Sequence, residues 1–194
     1  MGTTSNRAYR YPALSAPPNV PGDMQNLATD LDTDVQAVYN SLPKLTLKNS
    51  GTARTNSTLS DDPVLSGIAL PVGIWDIELR IFVTSADASN TGDFKTRWAF
   101  TGTYGTPTRC CIGPGSSNVA NPDVLTPITM RGTAVNADAT YGLSSTGAFA
   151  VVIEKALASV TVTGNLSLQW AQAATDSDAT TVQAGSCFIV RKFA

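Results

Sequence analysis

The chain has 194 residues, with 13 Lys and Arg against 15 Asp and Glu. Only 14% of its residues are charged, against roughly 25% in ordinary proteins. It has no histidine, which excludes Ser-His-Asp and Cys-His catalysis and removes the commonest zinc ligand. No cluster of Lys and Arg is present to track phosphates or to hold an anionic membrane surface, so neither nucleic acid nor membrane is expected as a partner.

Met1 to Arg7 lacks an apolar stretch, so no secretory signal is expected, and no apolar run is long enough to cross a bilayer. From Met1 to about Pro21 the sequence reads as an extended arm. Pro12, Pro17, Pro18 and Pro21 fix φ and disfavour helix in the residue before each. Such an arm cannot bury its own apolar groups, so Tyr9, Tyr11 and Leu14 call for a partner surface.

A helix is expected from Asn19 to Leu42. Asn19 is placed to cap it, Pro21 falls in the first turn, and Asp23 suits the positive end. Met24, Leu27, Leu31, Val35, Val38 and Leu42 step by three or four residues and form one apolar stripe, nearer an eleven-residue than a seven-residue repeat. Pro43 stops the helix. The stripe has two expected destinations, the chain's own β-domain or other subunits. The second is preferred because the preceding arm also lacks a core. Residues 1–43 are therefore expected to form an anchor, and residues 44–194 a separate β-domain.

From Lys44 the period changes from helical to alternating. Lys44–Lys48 reads as a short strand, Asn49-Ser50-Gly51 and Asp61-Asp62-Pro63 as turns, and Val64–Leu70 as the next apolar run. Ile74–Val83 is the strongest strand, with Trp75, Ile77, Leu79, Ile81 and Val83 on one face and Asp76, Glu78 and Arg80 on the other. Further strands are expected at Phe94–Phe100, Arg109–Ile112, Val124–Arg131, Phe149–Leu157, Leu166–Gln172 and within Thr180–Phe193. Loops are expected at 85–92, 113–122 and 137–147, and a turn at Gly102–Pro107. The expected fold is mostly β: an antiparallel β-sandwich preceded by an extended arm and one α-helix.

Little here points to chemistry. Cys110, Cys111 and Cys187 are odd in number and lack Cys-x-x-Cys spacing, so they read as reduced thiols in strands. Asp61-Asp62 and Asp176-Ser177-Asp178 read as turn formers rather than paired catalytic carboxylates or cation ligands. Trp75, Trp98 and Trp170 suit a core better than a sugar-stacking surface. No enzyme activity, cofactor or metal is expected.

Three stretches carry a resemblance. Tyr11-Pro12-Ala13-Leu14, followed by Asn19-Val20-Pro21-Gly22-Asp23-Met24-Gln25-Asn26-Leu27-Ala28, resembles the N-terminal motif of actinophage tail and fibre proteins. The stretch from Leu166 to Ala194, with its Trp-Ala-Gln and Ala-Gly-Ser, resembles the last strands of accessory proteins on tailed-phage particles. Leu70-Pro71-Val72-Gly73-Ile74-Trp75 is similar to the strand entry of jelly-roll fibre heads, which resemble tumour-necrosis-factor and complement C1q domains. The resemblance implies a virion protein, jelly-roll-like and homotrimeric, that decorates a phage head as a decoration or head-fibre subunit. Its partners would be its own copies and the major capsid protein or another virion protein. The alternative is a minor tail or tail-fibre protein that binds host glycan through loops such as Thr103–Thr108 or Ser116–Asn121. In either case the anchor residues are Tyr9, Tyr11, Leu14, Pro17, Pro18, Met24, Leu27, Leu31, Val35 and Val38.

Overall fold

The computed structural model describes residues 2–3, 10–11, 19–85, 93–105, 107–115, 128–143 and 149–193, with residues 2–3, 10–11 and 40–41 described by backbone alone. The chain divides into two compact units, Met1–Leu42 and Pro43–Ala194.

In the first unit, strand β1 (Gly2–Thr3) pairs antiparallel with β2 (Arg10–Tyr11), Gly2 opposite Tyr11. This corrects the expectation of an arm extended throughout: the chain doubles back here, with Arg10 opposite Thr3 and Tyr11 opposite Gly2. Helix α1 (Val20–Ser41) follows, within a residue of the expected span at each end. Asn19 sits at the cap position, but its side chain makes no capping hydrogen bond. A capping side chain bonds the N–H of the second or third helical residue, and the second is Pro21, which has none. The Asn19 carbonyl instead accepts from the Asp23 N–H at 2.9 Å. At the other end the Leu42 N–H reaches the Tyr39 carbonyl at 3.3 Å, and Pro43 prevents a further turn.

The second unit is built from β3 (Lys44–Leu47), β4 (Thr52–Arg54), β5 (Ser60–Asp61), β6 (Ile68–Leu70), β7 (Gly73–Ser85), β8 (Phe94–Phe100), β9 (Thr103–Tyr104), β10 (Thr108–Pro114), β11 (Ile128–Ala134), β12 (Ala139–Tyr141), β13 (Ala150–Val162), β14 (Gly164–Gln172), β15 (Thr180–Val182) and β16 (Cys187–Lys192). All pair antiparallel. The larger sheet runs β11-β10-β13-β7. The far edge of β7 is then shared: β16 takes Trp75–Arg80 and leads to β3, while β15 takes Val83–Ser85 and leads to β4. The smaller sheet runs β12-β8-β14, with β5 and β6 sharing the far edge of β14. This is an antiparallel β-sandwich, a β-rich fold compatible with a jelly roll.

The core lies between the sheets. From β7 come Trp75, Ile77, Leu79, Ile81 and Val83, the face that the alternation marks as apolar, and β14 and β8 answer with Leu166, Leu168, Trp170, Phe94 and Trp98. The Trp98 and Phe188 rings meet edge-on across the gap at 5.5 Å. Strands β9 and β12 lie where a turn and a loop are expected, β4 lies in a stretch with no expected element, and β10 runs on through Pro114 into an expected loop. These are short pieces whose own pattern is weak; they pair because a longer neighbour offers an edge. The parts of the expected loops at 86–92, 116–122 and 144–147 lie outside the described residues, as does Ser116–Asn121 of the glycan reading.

Candidate functional site

Of the anchor residues, Met24, Leu27, Leu31, Val35 and Val38 lie on α1, and all five are exposed, as is Leu42 beyond them. At 3.6 residues per turn they share one face, so the helix presents a continuous apolar stripe to solvent. Tyr9, Leu14, Pro17 and Pro18 lie outside the described residues, and Tyr11 is described only as backbone in β2.

The second unit holds its ionisable groups differently. Glu154 on β13 faces inward between Val152 and Ala156 and is fully buried. Its Oε1 accepts from the Thr96 hydroxyl at 2.5 Å and the Tyr141 hydroxyl at 2.7 Å. Its Oε2 accepts from the Trp98 indole N–H at 2.6 Å and from Arg109 Nη1 at 3.0 Å. Arg109 is equally buried; it also donates to the Ala137 carbonyl at 3.0 Å, and its Nε has no partner. Thr96, Trp98 and Tyr141 belong to the smaller sheet and Glu154 and Arg109 to the larger, so this carboxylate ties the layers together. Burial, and then the charge of Glu154, push the Tyr141 phenol far above its usual range.

Asp62 and Lys48 make a second buried pair at 3.0 Å. Asp62 Oδ1 accepts from the backbone N–H groups of Val64 and Leu65, both at 2.9 Å, and Oδ2 accepts from the Trp170 indole at 3.0 Å. Lys48 also donates to the Thr52 hydroxyl at 2.6 Å. Burial alone raises the Asp62 pKa, but the Leu65, Val64, Trp170 and Lys48 donors together outweigh it, so the carboxyl sits below its usual value. Arg54 lies over the Trp170 ring, 4.1 Å from its centroid. The expected turn at Asp61-Asp62-Pro63 is corrected in part: Asp61 ends strand β5, opposite Gln169, and Asp62 beyond it is the centre of a buried ion pair. A charge in the inward register of a strand, as at Glu154, is the sequence signal that would have revealed such a site.

Each buried carboxylate is thus engaged by donors from its own chain. Trp75, Trp98 and Trp170 are buried, with their N–H groups bonded to the Pro71 carbonyl, Glu154 and Asp62, so none offers a ring to a sugar. All three cysteines are free thiols; burial raises the pKa of Cys111 and Cys187. Among the described residues no group of three His, Cys, Asp or Glu is arranged to hold a metal, and no helix is long and apolar enough to cross a membrane. One cleft, of about 500 Å³, is lined by Tyr104, Pro107, Thr108, Ala134, Val135 and Asn136. The Tyr104 ring stacks on Phe100 there at 4.9 Å. The chain matches no protein-family model and no curated protein.

Proposed function

We propose that the chain is a structural protein of a tailed-phage particle: a capsid-decoration or head-fibre subunit, working as a homotrimer and held by its N-terminal unit to the major capsid protein or another virion protein. The observation that carries this reading is the stripe on α1. Five apolar side chains along one helix, and Leu42 at its cap, face water, and a 22-residue helix gains most of its stability from packing such a face. Each side chain that a partner covers contributes about 1.5–3 kcal/mol before ordering costs, and several copies acting together convert modest contacts into avidity. The sandwich supports the reading in a second way. Its buried carboxylates hold the fold, and its low charge leaves few groups to desolvate where copies meet neighbours. The protein performs no catalysis on this reading.

The cleft beside Tyr104 favours one alternative, a minor tail or tail-fibre protein that takes a host-surface glycan there, because an aromatic ring beside Thr and Asn side chains suits a sugar. One experiment addresses both. Particles assembled with full-length protein carrying Leu27→Glu and Leu31→Glu are expected to lose the subunit almost completely, while the variant stays folded and unassembled. Normal incorporation of the variant overturns the anchor. Many wild-type copies per particle mark a decoration subunit, and a few mark the tail.

A further inference from the structure

Among the described residues, seven strands of the sandwich have a neighbour on one side only, and six of them, β3, β4, β5, β6, β9 and β12, are two to four residues long. Short edges are one way a sheet avoids pairing with another chain. The seventh, β11, runs for seven residues in unbroken register with β10, without a proline, a lysine or a bulge. Its one charged side chain, Arg131, is held by the Thr140 carbonyl and lies over the Tyr141 ring at 5.0 Å, so it does not guard the edge. In an antiparallel ladder, alternate residues direct their N–H and C=O to opposite sides. The Val135 N–H bonds the Pro107 carbonyl, which fixes the phase: Thr129, Arg131 and Thr133 bond β10, while Ile128, Met130 and Gly132 aim their N–H and C=O away from it, where no described residue meets them. Ala134 shares that side, but its carbonyl accepts from the Ala137 N–H at 3.0 Å. The side chains of Ile128 and Met130 are 76% and 72% exposed, more than any other large apolar side chain among the described residues.

We propose that β11 pairs antiparallel with β11 of a second copy about a two-fold axis at Met130, so that the larger sheets of two copies run on as one. The sequence of the strand is self-complementary in this register. Met130 exchanges its backbone bonds with Met130 of the other copy, and Ile128 exchanges its own with Gly132, which uses the three residues whose N–H and C=O both point outward. On the outer face the two Met130 side chains meet and Ile128 lies beside Gly132, a large side chain against none, so the two most exposed apolar residues gain cover. On the inner face Arg131 stands opposite Thr129. A shift of the axis by one residue, to Arg131, sets the two guanidinium groups against each other and calls on the Ala134 carbonyl, which the turn already occupies. Both objections favour Met130 as the centre. A two-fold contact closes on itself, so it goes beyond the threefold contact of the homotrimer reading and links one trimer to the next.

The test uses purified full-length protein without particles. Met130→Lys puts two like charges at the axis on an exposed position, and its circular dichroism is expected to match wild type. In analytical ultracentrifugation at equal chain concentration, wild type is expected to sediment with at least twice the mass of this variant. Equal masses overturn the pairing. The register is tested by Met130→Cys in a Cys110→Ser background, which removes the half-exposed thiol on the neighbouring strand. A bonded antiparallel pair places its Cα atoms about 5.5 Å apart, within disulfide reach, so air oxidation is expected to give a two-chain band on a non-reducing gel. Lys155→Cys in the same background, exposed on β13 away from the edge, is expected to stay at one chain. A single-chain band from Met130→Cys, or two-chain bands from both variants, overturns the register. Incorporation into particles is measured separately, so failure here leaves the virion reading standing, and pairing by a protein that joins no particle leaves this contact standing.

Discussion

At Asp62 burial and hydrogen bonding oppose each other, and the bonding wins, which makes the residue a source of pH-dependent stability. Its folded pKa lies below the unfolded value of about 3.9, so its contribution is complete above that pH and is lost as pH falls through the folded pKa. Urea titrations from pH 7 to pH 3 are expected to show wild type weakening below about pH 4 and Asp62→Asn weakening less across that window. At pH 7 the substitution leaves Lys48 buried without its anion, at a cost of about 3–5 kcal/mol. Equal slopes for both proteins count against the assignment. Glu154 makes a complementary case. Arg109→Met and Glu154→Leu are each expected to cost about 3–5 kcal/mol, and the double variant much less than their sum, because together they remove both charges. Some deficit remains in the double variant, since Thr96, Trp98 and Tyr141 lose their acceptor. Chemical denaturation of all four proteins gives the coupling directly. These two clusters were the least legible part of the sequence. A lone Glu among apolar neighbours and an Asp before a proline look like a strand and a turn, and only the pairing across sheets reveals their donors.

Strands with their own strong pattern declared themselves, and strands that borrow an edge did not. The alternation over β7 is unbroken, and the burial follows it residue by residue. Strands β4 and β12 are three residues each, too short for a period to register, and they exist because β15 and β8 present free backbone groups to them. A related constraint sits where Gly102 passes Gly164. A β-carbon on Gly102 would lie 2.2 Å from the Val162 carbonyl oxygen, and one on Gly164 would lie 2.1 Å from the Gly102 nitrogen. Backbone meets backbone there, so nothing flexible can give way. Gly102→Ala and Gly164→Ala are each expected to destabilise by about 1–3 kcal/mol or more, whereas Gly105→Ala, with open space around it, is expected to be near neutral. Thermal melts of the three variants compare them, and an unchanged Gly164→Ala counts against the close crossing.

At the scale of the whole molecule, the sequence period changes from helical to alternating after residue 43, and the chain divides into Met1–Leu42 and Pro43–Ala194. The sandwich was legible as a class from its many short alternating runs, while the strand order was not, since nothing local in β7 names β13, β15 and β16 as its neighbours. That arrangement also dictates how the protein can come into being. Strand β7 is made early, yet one whole side of it is filled only by Thr180–Val182 and Cys187–Lys192. A nascent polypeptide emerging from the ribosome therefore carries an open, sticky β-edge through most of translation, and a message cut short before the codon for Cys187 yields a product prone to clump.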